Sequence, residues 1–206
     1  MVNELSESFA LLVWFDISFS LPVPAFLVRI AVKTILLCRR MRYGYAFRRI
    51  KLTKGKYAIV DPKDFDWLSK YKWHCTNYGY AARKIPKKLR KGNEQSIMMH
   101  RELCPVPYGM WVDHINRKRN DNRRVNLRPV TRQQNCWNSR QNRKKSNTPY
   151  TGIHFNNNRR KWQVQLTVNG KQRGFGYYAD EIQAAKAYDK VAKKYRGQYA
   201  LLNFPD

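Results

Sequence analysis

The stretch that most constrains the fold runs from Trp111 to Arg140. Trp111-Val112-Asp113-His114-Ile115 alternates with the period of a strand, putting Val112 and His114 on one face and Asp113 on the other. Asp121-Asn122 is turn chemistry, and Leu127-Arg128-Pro129-Val130 can return as a second strand. Thr131 is placed to N-cap a helix running through Gln134, Cys136 and Trp137 towards Arg140, with Asn135 one turn into it. The sketch is strand, long basic loop, strand, helix. A strand end or bulge must bring Asp113 and His114 to a common site, since consecutive strand residues face opposite ways.

This frame holds an acid, a histidine and two amides: Asn126 follows His114 by twelve residues, and Asn135 follows Asn126 by nine. Around them lie Arg117, Lys118, Arg119, Arg123, Arg124, Arg128 and Arg132, with Asp121 the only acid after Asp113 within this stretch. Metal-assisted phosphodiester chemistry needs such a set. An imidazole with an ordinary pKa near ~6.5 can take a proton from water at neutral pH, which makes His114 the candidate general base. A hard divalent cation, Mg²⁺ or alternatively Mn²⁺, would take a carboxylate oxygen from Asp113 and an amide oxygen from Asn135. Asn126 either joins the catalytic set or holds the loop through backbone bonds. The plainer alternative is a turn-rich basic loop in which His114 merely packs beside Ile115.

The partner is expected to be acidic, because the 206 residues carry a formal net charge of +27. A nucleic-acid backbone answers that charge through counterion release. The charge is no tail: residues 1–40 are net +1, and the other +26 is spread over residues 41–206 among aromatics. Cys38, Cys75, Cys104 and Cys136 form no C-x-x-C pair, which argues against a structural zinc site and a disulfide framework. Reduced thiols in a cytoplasmic protein are the default. Residues 1–40 form an apolar N-terminal extension broken by Asp16, Pro22 and Pro24, too interrupted for a confident membrane span. It reads as an anchor, a packed extension, or sequence upstream of a start at Met41.

Residues 41–98 look like a small strand-rich region. Candidate strands flank Lys54-Gly55 and Asn77-Tyr78-Gly79, and Asp61-Pro62 starts a short helix. Its Arg83, Lys84, Lys87, Lys88 and Arg90 are either DNA contacts or a solvated basic surface. After a basic linker at 143–147, residues 148–206 form a further unit. Strands over Thr151–Phe155, Lys161–Val168 and Gln172–Tyr178 are separated by Asn156-Asn157-Asn158 and by Asn169-Gly170, a strong hairpin signal. Asp180 can N-cap a helix in which Ala184, Ala185 and Ala187 allow close approach to the sheet, and Ala200–Phe204 packs back.

Two resemblances sharpen this plan. Met99-His100-Arg101, Val112-Asp113-His114-Ile115-Asn116, Asp121-Asn122-Arg123-Arg124-Val125-Asn126-Leu127-Arg128 and Gln134-Asn135 resemble HNH endonucleases of the phage and intron homing type. That resemblance implies a β-β-α-metal module over residues 99–142, with His114 as base, Asn126 at the middle motif position, and Asp113 and Asn135 on the metal. Tyr150-x-Gly152-Ile153, Lys161-Trp162, Gly176-x-Tyr178, Ala184-Ala185-x-Ala187-Tyr188-Asp189 and Leu202-Asn203-Phe204-Pro205 resemble the plant APETALA-two/ethylene-response DNA-binding domain. Plant members carry Arg where Thr151 and His154 stand and an aromatic where Gly174 stands, so their DNA site does not transfer.

The expectation is an α+β chain: a strand-rich start, a β-β-α nuclease module, and a three-stranded antiparallel sheet packed on one helix. It would be a metal-dependent endonuclease acting on double-stranded DNA, a nickase or, through a dimer, a double-strand cutter. It would be a monomer or weak dimer with no membrane partner. His154, Gln163, Gln165 and Arg173 are the expected base contacts. Arg159, Arg160 and Lys171 are the expected phosphate contacts, with Arg117, Lys118, Arg119, Arg123, Arg128 and Arg132 lining the module. Rival readings are a DNA-binding transcription regulator with an inactive nuclease module, and an RNA-binding protein.

Overall fold

The computed structural model describes residues 24–90, 95–139 and 148–205. The linker expected at 143–147 and the apolar extension before residue 24 lie outside them. The fold is α+β, made of helices and small sheets of two or three strands. The chain forms two compact units, one of Met1–Pro105 with Lys118–Leu127 and the other of Val106–Arg117 with Arg128–Asp206.

In the first unit, helix α1 (Ala25–Tyr43) starts directly after Pro24 and stops at Gly44, whose φ of 77° is the left-handed cap that glycine accepts freely. The helix runs unbroken through Met41. Arg39 is buried on it, donating from Nη1 to the Phe47 carbonyl at 2.7 Å and lying 4.6 Å over the Phe47 ring. Residues on both sides of Met41 are therefore packed into one element. No described helix is long and apolar enough to cross a membrane.

Strands β1 (Arg48–Lys51) and β2 (Tyr57–Val60) pair antiparallel across a turn in which Lys54 and Gly55 both have positive φ. Helix α2 (Pro62–Leu68) follows, with Leu68 fully buried. Asp61 stands at its N-cap without capping it; its Oδ2 instead accepts the Arg124 backbone N–H at 2.8 Å. Strands β3 (Trp73–Cys75), β4 (Ala81–Lys84) and β5 (Ser96–Met98) form a second sheet, and α3 (Met99–Leu103) follows with Met99, His100 and Leu103 buried. The 118–127 segment lies against β2, where Ile59 N–H donates to Asn120 O and Asn122 N–H to Ile59 O, each at 2.7 Å.

In the second unit, β6 (Trp111–His114) pairs with β7 (Leu127–Val130), and α4 (Arg132–Asn138) follows. Thr131 Oγ1 accepts from Gln134 N while Gln134 Oε1 accepts from Thr131 N, a reciprocal capping box that fixes where α4 begins. Strands β8 (Ile153–Asn156), β9 (Lys161–Val168) and β10 (Lys171–Tyr178) lie in the order β10-β9-β8, all antiparallel. Asn169 and Gly170, with φ of 51° and 75°, make the tight two-residue turn between the last two. Helix α5 (Glu181–Arg196) is N-capped by Asp180, which accepts from Gln183 N at 2.8 Å. Its Ala184, Ala185, Tyr188 and Ala192 pack on Ile153, Val164 and Leu166. A Cβ at Gly152 would lie 1.9 Å from the Tyr188 ring, so only glycine lets β8 start there. Asp189 then accepts the Asn203 and Phe204 N–H groups at 2.8 Å each, drawing the C-terminal segment back.

Candidate functional site

The end of β6 presents Asp113 and His114 as a buried pair, at 7% and 5% exposure. The strand stops at His114 because the chain turns there, the Arg117 N–H donating to His114 O at 2.8 Å with Arg117 at φ 62°. The strand therefore ends at the Asp113-His114 pair. Two other elements of the same unit close on Asp113. Arg128, on β7, donates from Nε and Nη2 to Asp113 Oδ2 at 3.0 and 2.9 Å. Asn138, in the last turn of α4, donates from Nδ2 to Asp113 Oδ1 and Oδ2 at 3.1 and 2.9 Å and to His114 O at 3.1 Å.

Asn135 lies three residues before Asn138 and so on the same side of α4, where i and i+3 residues are neighbours. Its side chain is half-buried and makes no hydrogen bond among the described residues. Asn138 is the residue that sequence reasoning missed. An Asn near a helix end reads as an ordinary terminator, and nothing local announces a bond to a carboxylate 25 positions earlier.

The donor set suits a hard divalent cation only in one way. Asp113 Oδ2 already accepts from Arg128 twice and from Asn138, whereas Oδ1 accepts from Asn138 alone and keeps a lone pair. With the Asn135 amide oxygen this makes two oxygen donors, few enough for Mg²⁺, which keeps several waters. No cluster of three or more His, Cys, Asp or Glu that could hold a metal occurs among the described residues.

Asn126 belongs to the first unit. It is buried, its Nδ2 donating to Asp121 O at 2.7 Å, which holds the 118–127 loop.

Several of the cations expected on DNA are used by the fold. Arg123 gives Nε and Nη2 to Asp121 at 2.8 and 2.7 Å and stacks 3.5 Å over Tyr45, leaving its side chain 11% exposed. Arg128 is 12% exposed, and beyond Asp113 it donates to Gln198 O and faces the Tyr199 ring. Ion pairs and rings occupy the guanidiniums of both, so each holds the fold together here. Arg119 donates to Tyr78 O at 2.6 Å but stays exposed, as do Arg117, Lys118 and Arg132. In the strand-rich region Arg83 is committed to Glu102, and Arg90 Nε to Ile85 O.

Residues 97–136 match the family model described as HNH endonuclease. That match places an HNH endonuclease domain in this chain. An uncharacterized HNH endonuclease, L560, of Acanthamoeba polyphaga mimivirus is 29% identical over 156 residues, covering 73% of this chain and 76% of that protein. Protein 3.8 of Escherichia phage T7 is 29% identical over 97 residues, covering 47% of this chain and 78% of its own length. No solved structure matches the chain significantly. The HNH match contains Asp113, His114, Asn126 and Asn135 and stops two residues short of Asn138.

Outside the HNH domain, the β8–β10 sheet sorts the remaining candidates by face. Cross-strand partners point to the same side. Ile153 opposite Val164 faces α5, so His154 opposite Gln163 faces away from it, and Gln165 lies on the same outward side. Arg173 stands opposite Leu166 and Lys171 opposite Val168, on the side that packs against α5. Arg173 is thereby separated from the expected base-contact set: the two-residue turn at Asn169-Gly170 fixes the register that sends it to the other face. Arg159 and Arg160 are exposed in the β8–β9 turn. Trp162 packs, half-buried, against the α5 core.

Proposed function

We propose that this chain is a divalent-metal-dependent DNA endonuclease. His114 would act as general base, Asp113 and Asn135 would hold the metal, and Asn126 would maintain the loop between the two module strands. What carries the reading is the junction at the end of β6. Asp113 and His114 sit there together, within the residues that match the HNH endonuclease family, and α4 brings Asn138 onto Asp113 with Asn135 one turn before it. His114 would take a proton from the attacking water, the new P–O bond would form, and the bond from phosphorus to the leaving 3′ oxygen would break. The bound cation would neutralise the scissile phosphate and the charge on the leaving oxygen. Exposed Arg117, Lys118, Arg119 and Arg132 would hold flanking phosphates, and the β8–β10 sheet would position the enzyme on duplex DNA. The virus and phage relatives fit a phage-type nuclease. One site would cut one strand per binding event, so nicking is the expected product of a monomer.

The regulator reading keeps one observation in its favour: Arg128 already neutralises Asp113. Incubating the full chain with duplex DNA, with and without Mg²⁺ or Mn²⁺, separates the two. Metal-dependent cutting supports the endonuclease; binding without cutting over a panel of substrates supports the regulator.

A further inference from the structure

The face of the β8–β10 sheet turned away from α5 carries an arrangement that phosphodiester hydrolysis does not use. Gln163, Gln165 and Gln172 share it, since Gln163 stands opposite His154, Gln165 opposite Gly174, and Gln172 opposite Thr167, the next outward residue of β9. Gln172 Nε2 donates to Gln165 Oε1 across the strands. The Gln163 amide lies over Gly174, where a Cβ would come 3.1 Å from its Nε2. Three amides thus cover the middle of an open sheet face, with no acid or cation at these positions. The charge is at one end: Lys161 extends the outward row of β9, and Arg159 stacks 4.5 Å over Tyr177, which stands opposite Gln163.

This division of chemistry has a direction. A surface that only gripped the backbone would be cationic across its centre, because phosphates are answered by Lys and Arg. A neutral amide centre with a cationic end suits bases in the middle and phosphates at the margin. With its Nε2 given to Gln165, Gln172 keeps an amide oxygen, while Gln165 keeps its amide N–H groups. The pair offers one acceptor beside one donor. In the major groove adenine presents the complement, a donor at N6 and an acceptor at N7. Guanine presents two acceptors there and would face the Gln172 oxygen with another acceptor. Gln163 can offer the same acceptor-donor pair from its single amide.

We propose that this face reads adenine in the major groove of duplex DNA, with Gln163 and the Gln165–Gln172 pair contacting base edges and Lys161 and Arg159 contacting flanking phosphates. The inference rests on the reading of the chain as a DNA-directed nuclease, and its test records binding rather than cutting. The full chain, held in EDTA, is used to select from a randomised duplex pool. Affinity for the selected site is then compared with that for the same site carrying 7-deazaadenine, which keeps Watson–Crick pairing but lacks the N7 acceptor. Selected sites are expected to place adenines at adjacent positions. Each critical 7-deazaadenine should weaken binding on the order of tenfold. Gln165→Ala should lose that preference, the affinity for the selected site falling toward that for random duplex while the salt dependence, which phosphate contacts set, is kept. A pool without adenine enrichment, indifference to 7-deazaadenine, or equal weakening of all sequences by Gln165→Ala would overturn the proposal. Retained metal-dependent cutting beside any of these would leave the nuclease reading standing, whereas no binding to any duplex together with no cutting would remove both. The 7-deazaadenine arm uses unaltered protein, so a variant that fails to fold does not blunt the test.

Discussion

The arginines of residues 117–132 and the cations of the β8–β9 turn look alike in sequence and are used differently. In the first group, three arginines are tied to carboxylates: Arg123 to Asp121 and Arg128 to Asp113 with their side chains largely buried, and Arg124 to Asp64 with its side chain still 45% exposed. In the second, Arg159, Arg160 and Lys161 have no acid partner among the described residues and stay exposed. With 14 acids among 41 Lys and Arg, the acids decide which cations become structural. A basic stretch therefore says that an anion is wanted somewhere, while the placement of the few carboxylates says which cations are left to meet it.

The largest effect should come from breaking a consumed arginine. Arg128→Met removes one partner of an ion pair whose side chains are 12% and 9% exposed. It should destabilise the second unit by about 3 kcal/mol, because a buried carboxylate is left uncompensated. Arg132→Met, at an exposed site, should stay within about 0.5 kcal/mol. Urea denaturation of both variants tests the contrast; equal effects would erase it.

Next comes Asn138→Ala, which strips a donor from both Asp113 oxygens. Metal-dependent cleavage should fall by roughly 10–100-fold, the usual cost of losing a partner that orients a metal ligand. Raising the Mg²⁺ concentration should recover part of the loss if Asn138 acts through Asp113. A rate indifferent to added metal would mean that Asn138 serves packing alone.

Much of the fold is legible in the sequence where the signal is local. Thr131 caps α4, Asp180 caps α5, and Asn169-Gly170 turns β9 into β10, each from chemistry within four residues of the feature. The junction of Asp113 and His114 at a strand end is also an inference from alternation alone. What is not legible is long-range pairing. Asp64 and Arg124 meet across 60 residues, and Asn138 meets Asp113 across 25, and no periodicity announces either. The facing of Arg173 is of another kind. A two-residue hairpin fixes its register, so the opposite facing of Arg173 and Gln165 follows from residues 165–173 once the turn is taken seriously.

A smaller effect is expected on the unconsumed side. Lys161→Ala should weaken DNA binding almost uniformly across sequences and lower the salt dependence by about one phosphate contact, with stability unchanged. Binding isotherms over a salt series check this. A change in sequence preference instead would place Lys161 on a base.

The smallest effect is a pH dependence. The hydrogen bond from Arg124 holds the Asp64 carboxyl below its ordinary value of 3.8, with burial opposing. A depressed folded-state pKa means stability present above the unfolded value and lost as pH falls through the folded one. Asp64→Asn should therefore flatten the acid limb of the stability curve below about pH 4, modestly, since the Arg124 side chain is 45% exposed and solvent screens the pair. Melting temperatures of wild type and variant over the acid range would show it, and parallel curves would contradict it.

The central claim is that the junction at the end of β6 is a nuclease site. The most direct measurement is single-turnover cleavage of duplex DNA by the full chain in Mg²⁺ or Mn²⁺, beside His114→Ala. The account predicts metal-dependent cutting that drops by about 10²–10⁴-fold in the variant while DNA binding persists. Cutting at an unchanged rate in His114→Ala would contradict it.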